Sequence, residues 1–270
     1  LMQHSSGIAD YRKQSGFTAS KDYTPAELIA MVESAPLAFT PGTEVKQSAT
    51  NFLLLTSIIE KVAKMPYHEF VKKNQIDYLG MKETYFGEDL SKVKQENIGA
   101  SRNLHQAFKH DKDYIDPLET PTGYRDKEGK LEKVAPLNGA TMKGFSDLWA
   151  SAEDVSHWDI ALAGSILIAK PENRALIYEP TKLANGKTVP AMAGWQFYHH
   201  KGLMDIKGNV PGYSAFLSRF TDPSELVCVT LLANKEGVDL TNLARRIAAA
   251  FDNGKMGTGA NDNILYTYES

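Results

Sequence analysis

The pattern of hydrophobic positions is densest over residues 41–87, and it predicts a buried helix there. A Pro-Gly turn opens this stretch, and apolar residues then continue from Phe52 to Val62 with few polar interruptions. Apolar positions on nearly every side of a helix predict burial on more than one face. The Met65-Pro66 step is expected to end the helix, because a residue that precedes proline avoids the α-helical conformation.

Helix signals recur elsewhere in the chain. A shorter helix is predicted from Tyr67 to Asn74, before a Leu-Gly-Met turn. Thr24 and Glu27 enclose a proline at the first helical position, and this pattern predicts a capping box at a helix start. A second capping sequence begins at Ser151 and predicts the start of another helix.

In the last third of the chain, apolar and polar residues alternate instead of recurring at helical spacing, and this alternation predicts strands. Residues 213–220 alternate, and the apolar run from Leu226 to Leu232 is typical of a strand buried on both faces. Short connections between such runs favour antiparallel hairpins, and residues 123–131 read as a further hairpin with a polar tip. The sequence therefore predicts an antiparallel sheet.

A closing helix is predicted over residues 240–251. We expect Leu243 and Ile247 on its inner face, and Arg245 and Arg246 on its outer face. An antiparallel sheet that carries such a helix, beside a mostly helical insert, is an α+β architecture. The predicted fold class is therefore α+β.

Length and composition indicate one globular domain. The chain has 270 residues, of which 42% are hydrophobic and 23% are charged, so it can bury a substantial core. We expect a single domain over residues 1–270. Within it we expect a mainly helical subdomain at about 9–165, and the sheet with its closing helix at about 190–252.

Charge and hydropathy argue against several classes of partner. The net charge is −3, which gives no electrostatic reason to expect nucleic acid or an anionic membrane as a partner. No apolar run is long enough to span a bilayer, and no signal peptide opens the chain. The single cysteine, Cys228, cannot form an internal disulfide, and we expect it to be a small core residue.

The sequence gives no sign of a metal or cofactor site. His199 and His200 are adjacent on a predicted strand, so their side chains point to opposite faces and do not chelate one ion together. No cluster of aspartate, glutamate and cysteine stands at ligand spacing. We therefore expect neither a metal nor a cofactor.

Several sequence blocks resemble one known family. They are Pro-Gly-Thr at 41–43 with the Leu-rich helix after it, Pro-Tyr-x-x-Phe at 66–70, Leu-Gly-Met at 79–81 and Pro-Gly-Tyr-Ser at 211–214. The chain resembles the serine β-lactamase and penicillin-binding-protein superfamily, in its class C, esterase and D-alanyl-D-alanine peptidase branch, apart from about residues 88–120. The resemblance implies an antiparallel sheet flanked by N- and C-terminal helices, beside a mostly helical subdomain.

The resemblance fails where that family keeps its acid–base chemistry. The family motif Tyr-x-Asn falls on Gln47, Ser48 and Ala49. Glutamine exchanges hydrogen bonds but cannot serve as a general base near neutral pH. Ala49 lacks the amide that would bind a substrate carbonyl, and Ser48 stands where the family often has serine. We therefore expect the chain to keep the fold of the family but to lack its catalytic side chains.

A third family motif, Lys/His-x-Gly on an edge strand of the sheet, should precede residues 211–214. Counting back without a gap places its cation on Ile206, its middle position on Lys207 and its glycine on Gly208. A slip of one residue would make Lys207 the cation instead. In the ungapped register, Gly208 would let a substrate approach the strand edge.

The nucleophile motif of the family, Ser-x-x-Lys, occurs once in the sequence, at residues 91–94. It lies in a charged stretch far from the family's position, and so short a pattern arises easily by chance. Residues 1–8 resemble a family segment that follows the nucleophile helix. The resemblance therefore implies that the chain begins downstream of the nucleophile and lacks the N-terminal part of the fold.

Three functions fit these observations. The chain is a degenerate member that acts by binding, an active serine hydrolase whose Ser-x-x-Lys segment lies upstream of Leu1, or a peptide- or peptidoglycan-binding module. The family's reaction is acyl transfer from β-lactams, esters or D-Ala peptides, so the expected partner is a small-molecule or peptide ligand in the cleft. The resemblance favours a periplasmic or extracellular location, but the sequence does not fix the compartment.

Overall fold

The computed structural model describes residues 1–18, 21–87, 120–135, 141–198, 203–220 and 227–251. Its helices are α1 (Pro25–Glu33), α2 (Ala49–Ala63), α3 (Tyr67–Val71), α4 (Asp77–Leu79), α5 (Ala152–Ala163), α6 (Pro171–Leu176) and α7 (Thr241–Phe251). Its strands are β1 (Tyr85–Phe86), β2 (Gly123–Lys127), β3 (Lys130–Val134), β4 (Leu148–Trp149), β5 (Thr181–Lys182), β6 (Thr188–Val189), β7 (Ala191–Met192), β8 (Trp195–Phe197), β9 (Leu203–Val210), β10 (Tyr213–Phe220) and β11 (Val227–Ala233). The predicted α+β class is confirmed.

Helix α1 begins where its capping signals predict. The Thr24 hydroxyl accepts the Glu27 N–H at 3.3 Å, and the Glu27 carboxylate accepts the Thr24 N–H at 2.7 Å. Two of the N–H groups that a helix start leaves unpaired are thereby satisfied. The helix then buries Leu28 in a cluster with Tyr11 and Leu53, which forms the core of the helical part.

Helix α2 is buried over its first half only, so the prediction of burial on more than one face is wrong for its second half. Leu53 is buried, whereas Ile58 and Val62 are 49% and 76% exposed. The described neighbours pack against the first half of the helix and leave its far end uncovered. The helix stops at Lys64, which adopts a left-handed conformation just before the Met-Pro step.

The helix predicted from Tyr67 to Asn74 starts at Tyr67 but continues further. After α3 the backbone passes through a π-helical turn, Lys72–Ile76, into α4, which ends at Gly80 with φ of +67°. The Leu-Gly-Met turn therefore lies where it was expected. In the part of the chain that the structure describes, no helix is both long and apolar enough to cross a membrane.

The main sheet has the strand order β11-β10-β9-β8-β7, and each neighbouring pair is antiparallel, as the sequence predicts. In its register Phe216 lies opposite Lys207 on one side and Leu231 on the other. Strand β11 was predicted to be buried on both faces, and this is wrong, because Leu232 is 44% exposed. Among the described strands β11 is at the sheet edge, so fewer neighbours cover it.

Each face of the sheet carries a helix, α5 on one and α7 on the other. The predicted faces of α7 are correct at Ile247, which packs against the core of the sheet, and at the exposed Arg246. They are wrong at Leu243, which is 46% exposed, and at Arg245, which is buried. Arg245 turns inward because its guanidinium binds the buried Asp205 carboxylate of β9, at 2.6 Å. The ion pair with Asp205 therefore decides which face of α7 is buried, against the hydrophobic pattern of the helix.

The predicted hairpin is confirmed as β2 and β3, with its tip at Gly129. Its first strand docks on the end of the main sheet, where the Tyr124 N–H donates to the carbonyls of Gly212 and Asn234 at 3.2 and 3.0 Å. The Tyr213 hydroxyl also donates to the Pro121 carbonyl at 2.7 Å. The hairpin is thereby held beside the β9–β10 turn and the end of β11.

Candidate functional site

A cleft of about 1100 Å³ separates the helical part from the sheet. Its helical wall comes from the start of α2, from α3 and from the loop before α5. Its opposite wall comes from the end of β9 and the start of β10. Residues that line it from both walls include Gln47, Phe52, Tyr67, Asp147, Gly208 and Tyr213.

Of the three residues aligned with the family's Tyr-x-Asn motif, only the first reaches the cleft, and the other two are buried beneath it. Gln47 lines the cleft, whereas Ser48 and Ala49 are buried, with 5% and 0% exposure. Ser48 is the N-cap residue of α2 but makes no side-chain capping bond. The Ala49 N–H donates to the buried Asp10 carboxylate at 3.3 Å. The helix start is therefore held by Asp10 from below.

The third motif region lines the cleft from β9, and its side chains alternate between the two faces of the sheet. Ile206 packs with Trp195 and Leu217 on the face that carries α5. The Lys207 ammonium lies 5.6 Å from the ring centroid of Phe216, which belongs to the opposite face with α7. Burial lowers the pKa of Lys207. The assignment of Ile206, Lys207 and Gly208 to the family motif stays a prediction.

Two other sequence candidates fall outside the described residues. They are the Ser-x-x-Lys pattern at 91–94 and the pair His199 and His200. Within the described ranges, no group of histidine, cysteine, aspartate and glutamate is arranged to hold a metal ion. Cys228 is half-buried rather than fully buried, and its thiol donates to the Asp159 carboxylate at 2.8 Å.

The structure adds a carboxylate and a set of aromatic rings that the sequence reasoning passed over. Asp147 lines the cleft between Phe145 and Trp149, in the loop that leads to α5. From the sequence, only the helix cap that begins at Ser151 was identified in this region. The signal that could have found the site is an aspartate flanked by two aromatic residues, because an aspartate is rarely buried among apolar side chains without a specific role.

Backbone contacts fix the position of Asp147. Its Oδ2 atom accepts the Gly144 N–H at 3.1 Å, and its carbonyl accepts the Gly87 N–H at 3.2 Å. Burial, together with the negative charge of Asp147, raises the pKa of the Tyr67 hydroxyl. The carboxylate and this tyrosine therefore share a part of the cleft where charges are poorly screened.

A buried polar layer lies beneath the Gln47 end of the cleft. The Ser6 hydroxyl donates to Asn51 at 2.7 Å, and the Lys46 N–H donates to the His4 carbonyl at 2.9 Å. The His4 ring packs edge-on against Phe52, with 5.1 Å between the ring centroids. Burial lowers the pKa of His4 to about 4. The histidine is therefore neutral at physiological pH and acts as a packing residue under the cleft wall.

Comparison with solved structures defines the class of protein. A penicillin-binding protein from Bacillus halodurans matches with a TM-score of 0.63 at 18% identity, over 93% of this chain and 70% of that one. D-amino acid amidase from Ochrobactrum anthropi SV3, complexed with D-phenylalanine, matches with a TM-score of 0.63 at 15% identity, over 93% and 76%. At these identities the matches show the fold, which is that of the serine β-lactamases and transpeptidases.

Sequence comparison then gives the family. The family model described as Beta-lactamase matches residues 1–251, and the chain belongs to that family. Penicillin-binding protein 4* of Bacillus subtilis (strain 168) is 26% identical over 248 residues, which are 87% of this chain. The match covers 51% of that relative, so the chain spans about half of its length.

Proposed function

We propose that this chain is a binding member of the Beta-lactamase family, whose cleft holds amino acid amides or short peptides without hydrolysing them. The observation that carries the proposal is the identity of the groups on the cleft walls. Gln47 and Ile206 both line the cleft. We align Gln47 with the family's tyrosine and, in the ungapped register, Ile206 with the family's cation. Neither side chain can take up or relay a proton near neutral pH.

Two of the hydroxyl groups that line the cleft support the same proposal. Acyl transfer needs a hydroxyl that a neighbouring base can activate. The Ser214 hydroxyl donates to the Lys235 carbonyl at 2.8 Å and accepts the Val238 N–H at 3.1 Å. The Thr84 hydroxyl is buried and donates to Asp154, at 2.8 Å. Both groups hold neighbouring segments together, which is a structural rather than a nucleophilic task.

The relatives suggest the class of ligand. One solved neighbour is a D-amino acid amidase in complex with D-phenylalanine, and others are penicillin-binding proteins. The aromatic rings on the cleft walls would bury an apolar amino acid side chain. D-Phenylalanine amide and a D-Ala-D-Ala dipeptide are therefore suitable first ligands.

Calorimetry and a labelling assay test the proposal together. We expect the purified protein to bind D-phenylalanine amide in a titration. We also expect no covalent band after incubation with a fluorescent penicillin and a denaturing gel, and no release of free phenylalanine. Turnover of either compound by the unmodified chain would overturn the proposal, and so would the absence of binding by both the amide and the dipeptide.

A second candidate function is an active serine hydrolase in which a Ser-x-x-Lys segment outside these 270 residues completes the cleft. Its specific support is the apolar part of the cleft wall, which includes Val71, Ile76, Val155 and Leu232 and could receive a helix. The intact mass of the protein from its own source is the first measurement. A product heavier than 29.8 kDa that a β-lactam acylates would establish this alternative.

If that heavier product is inactive, the replaced motif residues can be tested in it. Gln47→Tyr and Ala49→Asn together restore the family's side chains at the start of α2. Hydrolysis that appears only in this double variant supports the binding proposal, because it assigns the loss of turnover to the replaced groups.

A further inference from the structure

A pair of aromatic rings joins the two walls of the cleft. Trp149 of β4, on the helical wall, packs edge-on against Tyr213 at the start of β10, with 5.3 Å between the ring centroids. Both residues line the cleft. Rings in this arrangement are in van der Waals contact, so no ligand chain can pass between them. The two walls therefore meet at this pair.

The β2–β3 hairpin holds the Tyr213 ring in place. The Tyr213 hydroxyl donates to the Pro121 carbonyl at 2.7 Å. A Cβ atom added at Gly123 would lie 2.8 Å from Cε2 of the tyrosine ring, so the backbone of the hairpin lies directly against that ring. The ring cannot turn away from Trp149 without breaking these contacts or displacing the hairpin.

Trp149 is held from the helical side in a similar way. It is paired with Tyr85 in the two-stranded sheet of β1 and β4. A Cβ atom added at Gly87 would lie 3.7 Å from the indole Nε1 atom, so the backbone that follows β1 also lies close to the ring. Both rings are therefore supported by backbone, and together they form a fixed barrier.

The register of the sheet gives the distance from this barrier to the middle of the sheet wall. Tyr213 is paired with Val210 of β9, and Gly208 stands two residues earlier on the same strand. A strand rises about 3.4 Å per residue, so Gly208 lies about 7 Å from the barrier along β9. A ligand group that contacts Gly208 therefore has room for about two extended residues in that direction.

We propose that Trp149 and Tyr213 close one end of the cleft, so that it holds amino acid amides and dipeptides but not peptides that continue toward the hairpin. The inference rests on the proposed function, because it names the size of ligand that the same cleft accepts. A longer chain would have to displace rings that the hairpin and β1 hold in place. Such a barrier selects by rejecting long ligands, and it needs no added contact to short ones.

The test compares D-phenylalanine amide with two longer ligands, one extended by four glycines at its amino end and one at its carboxyl end. Four extended residues span about 13 Å, which exceeds the room between Gly208 and the barrier. We expect one of the two longer ligands to bind the unmodified protein at least about ten-fold more weakly than the parent amide, as a poor fit in a closed pocket costs. Isothermal titration measures the three affinities, and their ratios are compared.

Variants at Trp149 assign this discrimination to the ring pair. We expect Trp149→Ala to bind the rejected ligand nearly as tightly as the parent amide, because the barrier then has a ring on one wall only. Trp149→Phe keeps a ring at this position and should keep most of the discrimination. Because each variant is judged by its own ratio of affinities, a loss shared by all three ligands does not affect the result.

A matched control is Tyr78→Ala, which removes an aromatic ring that is 64% exposed on α4 and does not line the cleft. It should leave the ratios unchanged. If Trp149→Ala does not fold, Tyr213→Leu opens the barrier from the sheet wall and is judged by the same ratio.

Equal binding of all three ligands by the unmodified protein overturns this inference and leaves the proposed function standing. Discrimination that survives in Trp149→Ala also overturns it. If D-phenylalanine amide is bound and hydrolysed, the binding proposal alone fails, and the ratios of kcat/KM then test the barrier. If none of the three ligands binds, the proposed function fails and this inference fails with it.

Discussion

Two buried arginines lie on opposite faces of the main sheet, and each binds one buried aspartate. Arg219 of β10 contacts Asp159 of α5, and its Nε donates to that carboxylate at 3.0 Å. Arg245 of α7 binds Asp205 of β9 at 2.6 Å, and it also donates to the Ser218 hydroxyl at 2.6 Å. These pairs join each covering helix to the sheet. Such a pair adds little net stability, because the cost of desolvating both charges offsets their attraction.

Removing one partner of such a pair leaves the other charge buried and unpaired. We therefore expect Asp205→Asn to lower the free energy of unfolding by about 3 kcal/mol, measured by urea denaturation. The control is Asp126→Asn, which breaks an exposed pair with Lys235 at 3.6 Å and should cost less than about 1 kcal/mol. Equal losses in the two variants would show that the Asp205 pair contributes no more than a surface contact.

His4 gives the fold a dependence on pH. Its pKa is lowered from 6.5 to about 4, mainly by burial, so below pH 6.5 the unfolded chain binds a proton that the folded chain excludes. Stability from this group is complete above pH 6.5 and falls as the pH drops to about 4. The loss over that interval is about 3 kcal/mol.

The variant His4→Asn isolates this contribution, because asparagine tolerates the φ of +55° at this position and does not titrate. We expect the unfolding free energy of the variant to fall less steeply between pH 6.5 and pH 4 than that of the parent. Chemical denaturation at several pH values measures both slopes. Parallel slopes would mean that carboxylates alone cause the acid sensitivity.

Among single residues, two positions that the sequence singled out line the cleft, although their family roles stay a prediction. Gln47 and Gly208 could be placed because they stand at fixed distances from recognisable blocks. Asp147 and the inward-facing Arg245 could not, because the opposite cleft wall and the Arg245 carboxylate partner both come from elements far along the chain. The Arg245 partner Asp205 lies forty residues away on a strand, and no local pattern records that contact.

At the scale of elements, the sequence predicted where helices begin better than it predicted which of their faces are buried. The capping box of α1 and the Ser151 cap of α5 consist of neighbouring residues, so the sequence contains the whole interaction. The exposed faces of α2 and α7 depend on which elements cover them. Ile58 and Leu243 are therefore exposed despite an apolar pattern.

The loop before α5 packs tightly against α2 through Gly144. A Cβ atom at Gly144 would lie 2.3 Å from Cγ2 of Thr56 and 3.0 Å from the Phe52 carbonyl oxygen. We expect Gly144→Ala to lower the unfolding free energy by more than about 2 kcal/mol, because it adds this overlap to the strain of a positive φ. Thermal and urea denaturation would measure the loss.

Gly80→Ala is the control for backbone strain alone. Gly80 has φ of +67°, and a Cβ atom there would meet nothing within 4 Å, so we expect a loss of about 1 kcal/mol. Adding Thr56→Ser to Gly144→Ala removes the overlapping methyl group and should recover part of the loss. The absence of any recovery would mean that the Phe52 carbonyl, and not Thr56, limits the approach of the loop.

At the scale of the whole molecule, the cleft is the place where the helical part and the sheet meet. The helical wall and the sheet wall each contribute lining residues, such as Phe52 and Gly208. The description of residues 9–165 and 190–252 as two subdomains of one domain stays a prediction. A ligand that binds only the folded protein stabilises every part that forms its binding site. A ligand that contacts both walls would therefore stabilise the helical part and the sheet together.

Hydrogen exchange with and without D-phenylalanine amide measures that linkage. At a free ligand concentration about 100 times the Kd, binding stabilises the folded state by about 2.7 kcal/mol, which slows globally exchanging amides about 100-fold. We expect slower exchange both at the start of α2 and along β9 and β10, because these elements form opposite walls. Slowing confined to α2 would place the ligand on the helical wall alone. The sheet edge with Ile206, Lys207 and Gly208 would then have no part in binding, and the binding proposal would rest on the Gln47 side of the cleft.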